Sequence, residues 1–187
     1  MASEDINVQA TPDQEATPAA VAQESVSQEQ FSLDVLQKAA SIAEAAGMQP
    51  KLEREYMHLF IGVKFDNERL QGVLVRDKTI NRNMPVLGIF SPCLKVKRAD
   101  VADKLPDFSY RLLRANERVN FASYALIESE DDIMVVASFE TLLEEVTPKA
   151  FRTGVMAVAL AADLFEVKLG KTNSRELSVG GRSKQKE

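Results

Sequence analysis

From Phe151 to Leu169 the apolar residues Phe151, Val155, Val158, Ala162, Phe165 and Leu169 recur at spacings of four, three, four, three and four. That period predicts a long helix with one core-facing stripe. Thr147 supplies its N-cap and Pro148 its first helical residue. A second apolar line, Met156, Leu160 and Leu164, runs along the same helix. A helix on the outside of a one-layer sheet needs only one apolar face. The second line is therefore buried within the domain or covered by another chain, whether a dimer mate or a client segment.

Upstream, "SLDVLQKAASIAEAAG" predicts a helix with Ser32 as N-cap, Asp34 in the first turn and Gly47 as the stop. Its stripe of Leu36, Ala39, Ala40 and Ala43 is small enough to let it lie close to a sheet. "EYMHLFIGVKF" (55–65) and "RLQGVLVRD" (69–77) flank "DNE" and read as a β-hairpin. In its first arm Met57, Leu59, Ile61 and Val63 alternate with His58, Phe60, Gly62 and Lys64, which gives the two faces different side chains.

A third strand follows at 85–97; Pro92 within it suits an edge or a bulge rather than a central strand. Residues 100–115 read as a helix in two pieces meeting at Pro106, with Phe108, Leu112 and Leu113 toward the core and Asn116 as a left-handed stop. Two strands, 119–129 and 133–140, precede the last helix. The order α-βββ-α-ββ-α defines an α+β domain with helices packed on an antiparallel sheet.

The 187 residues suit one domain with about 30–50 residues to spare. The surplus falls at the ends. Residues 1–30 carry six acidic and no basic side chains and almost no large apolar ones, which predicts a disordered acidic tail. Residues 170–187, with five basic and two acidic side chains, predict a basic tail, and the folded domain is expected over 31–169. That body carries only −2 of the chain's net −5, too little positive charge to grip a phosphate backbone, so no nucleic-acid partner is expected. The one cysteine, Cys93, cannot form an intramolecular disulfide. The N-terminus lacks the basic and apolar regions of a signal peptide, and the longest apolar run, 155–162, is too short to span a bilayer. A cytoplasmic protein with no membrane association is expected.

Candidate chemistry is sparse. Glu128, Glu130, Asp131 and Asp132 fall within five residues. They lack the glycine and the alternating spacing of a cation-binding loop, and they lie between two strands that must pair, so a solvated hairpin tip is the expectation. His58 is the sole histidine and is read as a partly exposed sheet residue, because no nucleophile lies near it in sequence. Cys93 is read as a buried thiol, although Lys95 and Lys97 would lower its pKa on an exposed strand. The 76–85 loop, "RDKTINRNMP", offers an anion-binding rim or an ordinary turn. No nucleotide-binding, metalloprotease or hydrolase motif is present, and no metal, cofactor or catalytic residue is expected.

"YRLLRANERVNFASYALIESEDDIMVVASFE" followed by "LLEEVTPKAFRTGVMAVALAADLF" resembles the YbjN-type family, often labelled sensory transduction regulators. That family is similar in fold to the type III secretion chaperones of the Tir-chaperone class. The shared pattern is a "LLRANE" helix end, a strand ending near "ES", an acidic turn, and a second strand leading through "LLEEVTP" into a helix carrying "AAD". The resemblance covers about 31–169 and implies a small non-enzymatic module, commonly dimeric in the chaperone branch, that binds protein segments. The chain departs from the chaperones in its acidic N-terminal tail and its less acidic body, which favours the YbjN-like group.

The expected function is thus a chaperone-like or regulatory protein-interaction module, a homodimer or the binder of a client segment. Its candidate contacts are Met156, Leu160 and Leu164 on the last helix, and Phe60 with His58 on the first hairpin. The competing expectation is an enzyme or small-ligand binder using His58, Cys93 and the Arg76–Arg82 loop.

Overall fold

The computed structural model describes residues 18–65 and 68–168, with the backbone alone described for 18–26 and 102. The flanks 1–17 and 169–187, which hold most of the two expected tails and Leu169 of the predicted stripe, lie outside the described residues. By its contacts the chain divides into two units, Met1–Phe31 and Ser32–Glu187.

The first helix, α1 (Pro18–Ala45), starts fourteen residues before the expected cap. Ser32 lies inside it and donates from Oγ to Asp77 Oδ2 at 2.6 Å instead of capping. A lack of large apolar residues does not prevent a helix where intrinsic propensity is high. Residues 19–31 hold several Ala, Gln and Glu with no Gly or Pro, and Pro18 suits a first helical position. The end of the helix is as expected. Gly47 (φ 75°) sits in the left-handed region, its N–H donates to Glu44 O at 2.9 Å, and Met48 N–H donates to Ala43 O at 2.9 Å. Those two bonds form a Schellman closure. Within the second unit Leu36, Ala39 and Ala43 are fully buried.

Four strands follow: β1 (Pro50–Glu53), β2 (His58–Lys64), β3 (Leu70–Asp77) and β4 (Val86–Lys97). Strand β1 was not anticipated; "PKLE" is too short and too polar to show an alternating pattern. The β2–β3 hairpin forms as expected, with Leu59 opposite Val75 and Val63 opposite Gln71; its tip at 66–67 lies outside the described residues. A one-turn helix, α2 (Arg98–Val101), leads to α3 (Leu105–Asn116), which has Pro106 in its first turn. Strands β5 (Ser123–Glu128) and β6 (Asp132–Leu142) and helix α4 (Pro148–Lys168) complete the fold. The six strands form one antiparallel sheet in the order β1-β2-β3-β4-β6-β5, so the class is α+β.

Strand β4 corrects an expectation. It lies between β3 and β6, not at an edge, yet Pro92 does mark a bulge, where the register shifts between Pro92 and Leu94. The proline is tolerated because β3 pairs with β4 only as far as Phe90. Past that point no ladder bond toward β3 is lost to its missing N–H.

The side chains alternate across the sheet. One face carries Leu59, Ile61, Val73, Val75, Ile89, Val135 and Ala137, all buried, and α4 lies on it. The approach is close: a Cβ on Gly154 of α4 would stand 2.7 Å from Phe139 Cδ1. The other face carries a smaller cluster of Leu74, Phe90 and Val136, with Phe60 and Met134 packed against it and the Arg76 guanidinium 5.3 Å over the Phe90 ring.

Helix α3 differs from its predicted packing. Leu112 is buried and Phe108 half-buried, but Leu113 is exposed. Asn116 is not a left-handed stop. It is the last helical residue, and its side chain reaches to β5, where Oδ1 accepts from Tyr124 N–H at 2.6 Å and Nδ2 donates to Tyr124 O at 3.3 Å. The amide thereby occupies both backbone groups that Tyr124 presents at this edge of the sheet, as a neighbouring strand would.

Candidate functional site

Helix α4 is built as predicted at its start. Thr147 Oγ1 accepts from Ala150 N–H at 3.2 Å, and Pro148 is its first residue. The predicted core stripe is buried at Phe151, Val155, Val158 and Ala162, with Phe165 half-buried against the Tyr124 ring at 5.3 Å. The Tyr124 hydroxyl donates to the Ala161 carbonyl at 2.8 Å.

The polar side of this helix is reversed from the usual amphipathic arrangement. Its two acidic residues point inward: Asp163 is 7% exposed and Glu166 1%. Arg69, just before β3, donates from Nε to Asp163 Oδ1 and from Nη2 to Glu166 Oε2 at 3.5 Å. Gln71 Nε2 donates to Glu166 Oε1 at 3.1 Å and to Ser91 Oγ at 3.0 Å, and Ser91 Oγ donates to the Gly72 carbonyl at 2.7 Å. Burying polar groups is costly unless such partners replace their water. The cluster therefore ties the C-terminal half of α4 to β3 and β4.

With its acids turned in, α4 shows the solvent a run of aliphatic side chains. Met156, Leu160, Leu164 and Val167 are 37%, 49%, 46% and 51% exposed. The strip spans about 17 Å at 1.5 Å per residue. Between Thr153 and Lys168 no exposed residue of α4 is polar. Burial of the second line within the domain is thus excluded for Met156, Leu160 and Leu164. Val167 was not singled out in the sequence, although it continues the same line three residues beyond Leu164.

The other two candidate contacts lie elsewhere. Phe60 belongs to the sheet face opposite α4, half-buried against Leu74 and Phe90. His58 is not the partly exposed residue expected; it is 5% exposed. Strand β1, absent from the sequence reading, pairs Glu53 with it. Its Nε2 stands 3.0 Å from Glu53 Oε2, and its ring stacks on Tyr56 at 5.8 Å. Hydrogen bonds from Lys51 first, and then from His58, hold the Glu53 carboxyl below its usual pKa.

The remaining features expected to bear on chemistry are structural. Cys93 is fully buried, and loss of hydration pushes its thiol up to about 12. Lys95 and Lys97 do not activate it; they hold Asp132 at 2.8 and 2.9 Å and lower its pKa, with Lys95 the larger influence. Arg98 Nη2 holds Glu128 at 2.5 Å, and its N–H bonds the Asp131 carbonyl at 2.8 Å. Glu128, Glu130 and Asp131 are exposed, as expected of a solvated tip, while Glu128 and Asp132 are also paired, with Arg98 and with Lys95 and Lys97 respectively. Among the described residues no group of three or more His, Cys, Asp and Glu side chains is arranged to hold a metal ion. In the 76–85 loop, Asp77 Oδ1 and Asn81 Oδ1 are used by the turn itself, accepting from Thr79 and Asn83 N–H at 2.9 and 3.0 Å.

No helix among the described residues is long and apolar enough to cross a membrane. No protein-family model matches the chain, and no curated protein sequence matches it.

Proposed function

We propose that this protein is a non-enzymatic, cytoplasmic protein-interaction module, chaperone-like or regulatory, whose contact surface is the outer strip of α4. The observation that carries the reading is the reversal on that helix. Asp163 and Glu166 are buried and ion-paired, while Met156, Leu160, Leu164 and Val167 face water. A helix that served only its own core would gain by the opposite arrangement, because each of these half-exposed aliphatic side chains forgoes about half of the ~1.5–3 kcal/mol that full burial contributes. A continuous apolar strip along one exposed helix face marks a contact made with another chain. The resemblance to the YbjN-type and secretion-chaperone modules agrees with this use. The buried thiol of Cys93 and the burial of His58, whose Nε2 meets Glu53, favour it over the small-ligand or enzymatic reading.

The test compares wild type with Met156→Glu/Leu160→Glu, both checked for unchanged thermal unfolding. Light scattering reports self-association, and tagged capture from the cells of origin reports complexes with other proteins. The reading expects the assembly found for wild type, of either kind, to disappear in the double variant. Retention of every complex refutes it. The homodimer expected from the sequence and a foreign segment compete for the same strip.

A further inference from the structure

We draw no further inference here: the strongest candidate, the exposed aliphatic strip of Met156, Leu160, Leu164 and Val167 along α4, is the surface already described, and nothing in the structure shows what covers it.

Discussion

Arg69→Met tests whether the buried charges under α4 are a structural unit. The Arg69 side chain is 18% exposed, and the carboxylates it meets, on Asp163 and Glu166, are 10% and 1% exposed. Removing the cation leaves two carboxylates without this partner, although Gln71 still donates to Glu166. Breaking a buried ion pair from one side costs about 3–5 kcal/mol, because the remaining charge keeps its desolvation penalty without the attraction. Arg69 and Asp163 retain some water contact, so the lower end, about 3 kcal/mol, applies. For a domain of this size that is a fall in Tm of roughly 6–12 °C. Urea unfolding followed by circular dichroism measures it, and the loss should persist at high salt, which screens exposed pairs far more than buried ones. Adding Asp163→Asn and Glu166→Gln should recover most of the loss, since neutral amides no longer need the cation. A change below about 1 kcal/mol for Arg69→Met, or a triple variant no more stable than the single one, would refute the assignment.

Three further outcomes follow from the packing. Gly154→Ala places a Cβ 2.7 Å from Phe139 Cδ1 and should cost about 1–3 kcal/mol in urea unfolding, with Phe139→Leu on the same background restoring part of it. Asn116→Ala removes both bonds to the Tyr124 backbone and should speed hydrogen exchange at the Tyr124 amide, while the amides of β6 keep their protection; unchanged exchange there would mean the side chain does not cover the edge. Cys93 and Tyr124 are both held at about 12 by burial, from ordinary values of 9.0 and 10.0. Because folding raises both pKa values, their contribution is complete below pH 9 and is lost as pH climbs from 9 toward 12, where only the unfolded chain releases these protons readily. Cys93→Ala should therefore lose less stability than wild type between pH 8 and 11, and native Cys93 should resist iodoacetamide until the protein unfolds.

Much of this fold is legible in local pattern, and the reason is period. The core stripe of α4, its Thr147–Pro148 start, the β2–β3 hairpin and the β5–β6 pair each express a spacing or a turn that depends on neighbours a few residues away. The aliphatic line of Met156, Leu160 and Leu164 was visible for the same reason, because it is one helix's own repeat. Whether that line was inside or outside was not a local matter. Nothing near Asp163 and Glu166 in the chain gives their inward orientation; Arg69 and Gln71, ninety-four and ninety-five residues earlier, supply the partners that hold them there. His58 had two neutral neighbours in sequence and an alternating pattern that put it on an ordinary sheet face. The short strand carrying Glu53, too polar to announce itself, buried it. Pro92 announced a bulge, which is a local backbone property, but not a central position, which depends on where β3 stops pairing. The sequence by itself determined which segments are helices and strands and which faces are apolar. Tertiary structure decided which faces meet water, because burial and ion pairing are set by residues far apart in the chain, whose desolvation is settled only when they meet.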